Sequence, residues 1–274
     1  MPELPEVETV RRSLETRLPG RRIDRVHVHD RRLRYPVRVT LLQSRTDGRR
    51  VRGLDRRSKY LLIHLEDDSS LLIHLGMSGR LLLMDADADL RTHDHVCFDL
   101  DDGQQLRFND PRRFGLVDVV DSNRLEQHAR IRDLGVEPLS DDCNADFLAG
   151  LARGKSQPVK NFIMDARRVV GVGNIYANEA LFLARVHPQR AAGRLSRASW
   201  ERLTAAIKRV LGEAIEQGGT TLNDFQNAAG ETGYFQVYLR VYQREGEPCP
   251  ECQATIRRKV LAGRSTFYCP KCQR

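Results

Sequence analysis

The chain has 274 residues, of which 40% are hydrophobic and 30% charged, a composition typical of a globular protein with about two domains. No apolar stretch approaches the roughly 20 residues of a membrane-spanning helix, and glutamates lie where a signal peptide would be apolar. These features argue against a membrane or secreted protein and predict a cytoplasmic location. The net charge of +8 leaves two interpretations open, a highly soluble surface or a polyanionic partner such as nucleic acid.

The first predicted element is a helix. PEVETVRRSLETRLPG has amphipathic spacing, a proline and acidic residues in its first turn, and a glycine at its end. From about residue 22 to residue 120 apolar residues alternate, which predicts strands in RIDRVHV, KYLLIHL, SLLIHLGM, HVCFDL and GQQLRF. The turn sequences DDSS and DDG predict hairpins between neighbouring strands. We therefore expect a β-sandwich or barrel packed against the first helix.

The second half of the chain follows a helical pattern. RDLGVEPLS contains no clear element and indicates a linker, and the clearest helices are predicted over 141–152, 174–184 and 196–217. A segment rich in glycine, asparagine and threonine at 220–236 is predicted to be a loop. The chain thus divides into a first domain over 1–132, a linker over 133–140, a helical domain over 141–236 and a C-terminal module over 237–274.

Four of the six cysteines form the pattern C-x2-C-x16-C-x2-C at Cys249, Cys252, Cys269 and Cys272. Each C-x2-C turn can deliver two thiolates to one tetrahedral Zn²⁺ ion, and four protein ligands leave no open position for chemistry. A disulfide framework is the alternative, but it is uncommon in a cytoplasmic chain of this size. The pattern predicts one structural zinc ion. The simplest interpretation of Cys97 and Cys143 is reduced, structural thiols.

Between the cysteine pairs, TIRRKVLAGRSTFY predicts a strand–turn–strand hairpin with Ala262 and Gly263 near its tip. Four basic residues, Arg257, Arg258, Lys259 and Arg264, make this hairpin strongly cationic. The charge could simply face solvent. A zinc ribbon in a basic protein favours contact with nucleic acid.

The chain begins MPELPEVETV, so removal of Met1 would leave Pro2 as a secondary α-amine. An α-amino group has a pKa near 8 against about 10.4 for lysine, so far more of it is neutral and nucleophilic at pH 7. Such an amine can attack an aldehyde carbon to form an iminium ion, and the adjacent Glu3 could supply a proton. On this pattern alone, the favoured interpretation is that Pro2 is an ordinary N-terminal residue without a catalytic role.

The motifs together resemble those of a known family. MPELPEVETV, HLGMSGR (74–80), NDPRRFG (109–115), GVGNIYANEALF (171–182) and the cysteine pattern follow one another as in the bacterial formamidopyrimidine-DNA glycosylases. The resemblance covers essentially the whole chain. It implies an α+β fold: an N-terminal β-sandwich with a flanking helix, a helical domain with a helix–two-turn–helix motif, and a zinc-ribbon β-hairpin.

The family removes oxidised purines such as 8-oxoguanine and formamidopyrimidines from double-stranded DNA, then cleaves the abasic site by β,δ-elimination. The resemblance therefore implies that Pro2 is the nucleophile and Glu3 the general acid. Lys59 matches the lysine of β-elimination, and Arg264 matches the arginine of δ-elimination and phosphate contact. Glu6 matches a supporting glutamate near the lesion pocket. A monomer without membrane contact is expected, bound to nucleoid DNA in a bacterial cytoplasm.

The resemblance also implies a DNA-binding surface. Family residues that fill the gap left by an extruded base match Met77, Arg112 and Phe114. Other DNA-contacting positions match His93, Arg112, Lys155 and Asn174, and Lys160 is expected on the same surface. Asn174 follows a glycine-bearing turn at the start of a helix, where free N–H groups can bind a phosphate. The 220–236 loop is either a lid over the flipped base or a flexible surface loop.

Two positions depart from the family pattern. Ala166-Arg167 stands after IMD where glutamine is common, and Gln243 follows a tyrosine where glycine is common. Two other functions stay open at this point. One is the endonuclease VIII specificity for oxidised pyrimidines, against which Leu4 argues because those enzymes usually have glycine there. The other is a non-catalytic zinc-ribbon DNA-binding protein, which would leave Pro2, Glu3 and Lys59 without a purpose.

Overall fold

The computed structural model describes residues 2–218 and 239–274, so the predicted loop at 220–236 lies outside the described residues. The chain divides into two compact units, the first built on Met1–Arg132 and the second on Asp133–Glu216 and Phe235–Arg274. Within the described residues, no helix combines the length and apolar character that crossing a membrane requires.

The first unit is a β-sandwich flanked by a helix. Its helices are α1 (Leu4–Glu15) and α2 (Val39–Thr46). Its strands are β1 (Arg22–Val28), β2 (Arg49–Arg57), β3 (Tyr60–Leu65), β4 (Ser69–His74), β5 (Arg80–Asp85), β6 (Asp94–Leu100), β7 (Gln104–Asn109) and β8 (Leu116–Asp121). All pairings between these strands are antiparallel, and short hairpin turns join β2 to β3, β3 to β4 and β6 to β7.

The eight strands form one sheet in the order β5-β7-β6-β1-β2-β3-β4-β8. β1 and β2 pair at only two positions, Arg22 with Arg50 and Ile23 with Arg49, so the sheet folds over at this joint. The resulting halves enclose a common apolar core, with Phe98 and Phe108 from one half and Ile63 and Ile73 from the other. α1 adds Val7, Val10 and Leu14 to the same core, which confirms the predicted sandwich with a flanking helix.

Most predicted strands and both hairpin turns are confirmed, but the sequence patterns missed several elements. β2 was missed because RRVRGLDRR is mostly arginine, and only Val51 and Leu54 are buried from it. α2 was missed because it has only eight residues and buries just Leu42 and Thr46. β4 ends at His74, earlier than predicted, because Gly76 takes a positive φ of 62° that ends the extended backbone.

The second unit contains α3 (Ala145–Ala152), α4 (Val159–Ile163), α5 (Asn174–Leu183) and α6 (Arg197–Glu216). α3 begins later than predicted because Asn144 is its N-cap, with the side-chain oxygen accepting from the Phe147 N–H at 3.0 Å. α4 was not predicted, since five residues are too few to show a periodicity. α5 and α6 match their predicted spans to within one residue at each end.

The C-terminal hairpin consists of β9 (Arg257–Leu261) and β10 (Arg264–Tyr268), joined by Ala262 and Gly263 at positive φ. This confirms the predicted strand–turn–strand, and the paired positive φ angles match the twist of a two-residue turn. A small apolar cluster packs the cysteine module onto α5: Phe182, Val241, Cys249, Ile256, Phe267 and Cys269. The predicted α+β fold class is thereby confirmed.

Candidate functional site

Pro2 and Glu3 lie at the buried N-terminus of α1. Pro2 is buried, and Glu3 and Glu6 each have 2% exposure. The two glutamates form a reciprocal cap, in which the Glu3 backbone N–H donates to Glu6 Oε2 at 2.7 Å and the Glu3 side chain faces the Glu6 N–H. The first helical turn thus holds the glutamates in one geometry beside Pro2.

A chain of ionic contacts links α1 to the turn that carries Lys59. Glu8 accepts from Arg56 Nε at 3.1 Å, and Arg56 donates to the Ser58 carbonyl at 2.9 Å. Ser58 is buried with φ of 58°, and Lys59 follows it directly before β3. Burial acts to raise the pKa of the Glu8 carboxyl, but Arg11, Arg56 and Arg12 outweigh it and lower the pKa.

Asp110 joins three loops that carry the predicted DNA-contacting residues of the first unit. Its carboxylate is fully buried and accepts from Ser78 Oγ at 2.7 Å and from the Gly115 N–H at 2.8 Å. Its backbone N–H donates to the His93 carbonyl at 3.1 Å. Met77, His93, Arg112 and Phe114 are therefore held on neighbouring loops around one carboxylate. Asp110 is the aspartate of the motif NDPRRFG, but the sequence pattern did not predict that it joins these loops.

Met77 and Phe114 lie on exposed turns and not in the hydrophobic core. Phe114 keeps 44% of its surface exposed with the Arg112 guanidinium 5.1 Å from its ring centre, and Met77 is half-buried. Gly76 lies against the backbone of Phe114, where any Cβ would overlap the Phe114 carbonyl. Glycine is therefore required for the Met77 loop and the Phe114 loop to approach each other.

Three side chains of the second unit fix the hairpin that presents Arg264. Lys160 Nζ donates to the Ser265 carbonyl at 2.9 Å and to Thr266 Oγ1 at 2.7 Å, and Asn174 Nδ2 donates to the same carbonyl at 3.1 Å. Asn178 Oδ1 accepts from the Phe267 N–H at 2.8 Å. Arg264, at the exposed start of β10, is held beside the N-terminus of α5.

Lys160 corrects one expectation. It was expected on the DNA-binding surface, but it has 1% exposure and its ammonium group is bonded to the β10 hairpin. Lys155, by contrast, is exposed in the turn after α3. The backbone of this turn bonds to Gly193, where a Cβ would contact both Ala152 and Lys155 at under 3 Å. The sequence alone does not show whether the ammonium group of a lysine is exposed to solvent.

The four predicted zinc cysteines form one cluster. The Sγ atoms of Cys249, Cys252, Cys269 and Cys272 all lie within 4.8 Å of one another. Tetrahedral Zn–S bonds of about 2.3 Å need sulfur atoms about 3.8 Å apart. The separations of 3.9 Å between Cys249 and Cys272 and 3.4 Å between Cys252 and Cys269 fit such an ion.

Cys97 and Cys143 are buried free thiols, and burial raises the pKa of both.

Two buried polar residues around this module were also missed. Gln273 has 2% exposure, accepts from the Cys269 N–H at 2.8 Å and donates to the Val186 carbonyl at 3.0 Å. Glu179, on α5, is fully buried and accepts from the N–H groups of residues 240, 241 and 242 at 2.8–2.9 Å. The sequence signal for Glu179 was the only carboxylate in the helix α5.

Three family profiles match the chain in order. They are the formamidopyrimidine-DNA glycosylase N-terminal domain over residues 1–117, the H2TH domain of the same enzymes over 134–226, and a zinc finger found in FPG and IleRS over 246–274. The chain is 53% identical to the formamidopyrimidine-DNA glycosylase of Alcanivorax borkumensis, with all of both chains covered. It is 50% identical to that of Alteromonas mediterranea, again over the full length of both.

The chain belongs to the formamidopyrimidine-DNA glycosylase family. Solved structures of Lactococcus lactis FPG have the same fold. A substituted form in complex with Fapy-dG DNA superposes with a TM-score of 0.93 at 33% identity over both entire chains. The enzyme in complex with abasic-site DNA superposes with a TM-score of 0.92 at 34% identity over 99% of each chain.

Family membership confirms the predicted resemblance, the zinc finger with its single structural zinc ion, and the enzyme class. The chain is a DNA repair glycosylase, and enzymes of this family also have AP lyase activity. One departure from the family pattern lies in a turn of the second unit. Gln243 has φ of 60°, a conformation that favours the glycine common at this position.

Proposed function

We propose that the chain excises oxidised purines, 8-oxoguanine and formamidopyrimidines, from duplex DNA and then cleaves the abasic site by β,δ-elimination. The Lactococcus lactis complexes with Fapy-dG and with abasic-site DNA support this substrate class. A further complex of that enzyme holds DNA with an oxidised pyrimidine. Excision of oxidised pyrimidines is therefore a second candidate activity on the same scaffold.

The arrangement at the start of α1 carries the proposal. After removal of Met1, the Pro2 nitrogen is a secondary amine that attacks C1′ of the damaged nucleotide. The bond from C1′ to the base breaks, and the base leaves with the proton that the amine gives up. Glu3 supplies the proton to the sugar oxygen as the ring opens and an iminium ion forms. The cap between Glu3 and Glu6 supports this role, because it fixes the Glu3 carboxyl group at the residue that follows the attacking amine.

Lys59 and Arg264 are proposed for the steps that follow. Lys59 serves β-elimination and binds phosphate, supported by its place on a turn tied to α1 through Arg56 and Glu8. Arg264 contacts the lesion phosphate and serves δ-elimination, supported by its exposure and by the anchoring of β10. A guanidinium clamps a phosphate with two hydrogen bonds, so the contact role is the physically stronger one.

The remaining predicted residues are proposed to hold the DNA. Met77, Arg112 and Phe114 fill the gap left by the extruded base, which offsets part of the unstacking cost. DNA phosphates and neighbouring groups contact His93, Arg112, Lys155 and Asn174. The proposed enzyme has a catalytic domain over 1–132, a linker over 133–140, a helical DNA-binding domain over 141–236 and a zinc finger over 237–274. The enzyme acts as a monomer on double-stranded DNA in the bacterial cytoplasm, associated with the nucleoid.

The substrate class is tested by single-turnover excision on two otherwise identical duplexes, one with 8-oxoguanine and one with thymine glycol. The purine lesion is expected to react faster. A faster reaction on thymine glycol would assign the chain to pyrimidine repair. A chain that binds both duplexes without releasing either base would contradict the enzymatic proposal and favour a binding protein.

A further inference from the structure

The first unit has an open surface cavity of about 230 Å³ beside the Phe114 loop. Its walls combine two arginines with aromatic rings and one histidine: Arg34, Arg130, Tyr35, Tyr60, Phe114 and His74. The Arg34 N–H donates to the Gly115 carbonyl at 3.2 Å, which ties the Arg34 loop to the Phe114 loop. The cavity therefore borders the residues proposed to enter the gap in the DNA.

The two arginines lack the carboxylate partners that other arginines of this unit have. Arg32 and Arg113, for example, both pair with Asp30 at 2.8 Å. Among residues 2–218 and 239–274, neither Arg34 nor Arg130 forms a salt bridge, and no carboxylate lines the cavity. The Nε of Arg130 is buried and has no hydrogen-bond partner within the described part of the chain. Such a group costs free energy unless a ligand satisfies it.

Tyr35 orients both cations. The Arg130 guanidinium lies 3.8 Å from the centre of the Tyr35 ring, and that of Arg34 lies 5.7 Å from the same ring. Stacking on an aromatic face holds a guanidinium while leaving its in-plane N–H groups available. The Tyr35 ring therefore holds the guanidinium groups of Arg34 and Arg130 in position before a ligand binds.

The other polar groups of the cavity are neutral. Burial, together with the charges of Lys59 and Arg34, lowers the pKa of His74 to about 4, so its imidazole is uncharged at pH 7. His74 Nδ1 accepts from the Gly76 N–H at 2.9 Å, which places the remaining proton on Nε2. Burial raises the pKa of Tyr60, although Arg130 and Arg34 act to lower it, so the phenol stays protonated. The cavity thus offers two positive charges and no negative one.

We propose that this cavity binds one phosphodiester group of the DNA strand that contacts Phe114. The inference rests on the proposed function, because it takes duplex DNA as the substrate. Two guanidinium groups that lack carboxylate partners can both donate hydrogen bonds to a phosphate. Because Phe114 lines the cavity, this phosphate would lie near the gap left by the extruded base. Arg34 and Arg130 therefore extend the DNA contact beyond the residues that the family motifs identify.

The first test is the salt dependence of binding. The R34Q/R130Q variant is expected to bind lesion duplex about 3- to 10-fold more weakly at low salt. The slope of log K against log salt should become shallower by about 1, the loss of one phosphate contact. R52Q is the matched control, because Arg52 is exposed and pairs with Asp68 at 3.1 Å. Its slope should equal that of the wild type.

The second test locates the phosphate. Methylphosphonate links, which carry no charge, replace single phosphates within a few nucleotides of the lesion on both strands. One replacement should weaken wild-type binding but leave R34Q/R130Q binding unchanged, because the two changes remove the same contact. R52Q should respond to every replacement as the wild type does.

Two results would overturn the proposal. One is an unchanged salt slope in R34Q/R130Q, with normal thermal unfolding. The other is the absence of coupling at every phosphate, which would leave at most an adventitious site for inorganic phosphate. Borohydride trapping of the wild-type enzyme, run on the same duplexes, reports separately on the proposed function. Successful trapping without phosphate coupling would contradict only this inference.

Discussion

Phe114 combines exposure with a fixed position, because Gly76 and Asp110 hold its loop while 44% of the residue stays open. We expect Phe114→Ala to slow base excision from an intact duplex far more than strand cleavage at a ready-made abasic site. The side chain helps to extrude a stacked base, and an abasic site has no base to extrude. Single-turnover rates on both substrates measure the difference. Equal losses would place Phe114 in general DNA binding instead.

His74 predicts a pH dependence of stability. Its pKa in the folded state is about 4, below the ordinary 6.5, because burial and the charges of Lys59 and Arg34 disfavour the protonated form. Between these values the unfolded chain binds more protons, so stability falls as pH decreases. From pH 7 to pH 5 the wild type should lose about 2 kcal/mol more than His74→Asn, whose amide oxygen can accept from Gly76.

Urea unfolding at the two pH values measures this difference. An equal loss in both proteins would show that His74 does not titrate as its burial requires. The comparison needs no DNA, so it tests the electrostatics of the cavity wall independently of any activity.

At the scale of elements, the Glu8–Arg56 pair connects the helix that begins with Pro2 to the turn that carries Lys59. Glu8→Gln should destabilise the fold by about 2 kcal/mol, since it removes a mostly buried carboxylate that pairs with Arg56, Arg11 and Arg12. The folded pKa of Glu8 is lowered, so its stabilising effect is present above the unfolded pKa and is lost as the pH falls through the folded value. The difference between wild type and variant should therefore shrink below about pH 4.5.

The same variant has a functional consequence. A looser Lys59 turn should slow β-elimination more than base excision, which separate assays on abasic and lesion duplexes can resolve. Glu15→Gln on the exposed end of α1 is the matched control and should change neither rate. A Glu8→Gln protein with full stability and unchanged elimination would show that the ionic chain does not position Lys59.

The elements that sequence predicted well are those whose pattern is local. The turn at Ala262-Gly263 and the N-terminus of α5 follow from backbone preferences of a few residues. β2 escaped prediction because its arginines mask the alternation of Val51 and Leu54. Buried polar contacts escaped for another reason. Lys160 and Glu179 bond to residues 61 to 106 positions away, and no local pattern encodes such partners.

The candidate site divides in the same way. The zinc cysteines and the Pro2-Glu3 start were predictable, because coordination and amine chemistry constrain residue type and spacing. Asp110 and Arg56 were not, since their importance comes from which loops they join. Arg130 was equally hidden, because sequence does not distinguish an arginine with a carboxylate partner from one that has none among the described residues.

At the scale of the whole molecule, the zinc module supports the hairpin that carries Arg264. Cys252→Ser should lose the metal and most affinity for lesion duplex, because the cysteine loops and the cluster beneath β10 lose their common support. Metal analysis and a binding titration measure both effects. Cys143→Ser, outside the cluster, should keep its zinc. Stoichiometric zinc and normal binding in Cys252→Ser would contradict the structural role of the site.

The central claim is that the α-amine of Pro2 attacks the damaged nucleotide, and borohydride trapping tests it most directly. An iminium ion between Pro2 and the opened sugar would be reduced to a stable amine, joining protein and lesion DNA covalently. Peptide mapping should place the adduct on Pro2. Glu3→Gln should bind DNA but lose base excision, since an amide cannot donate the proton. A chain extended ahead of Pro2 should not be trapped, because its nitrogen is an amide. An adduct on Lys59, with Pro2 unmodified, would contradict the account.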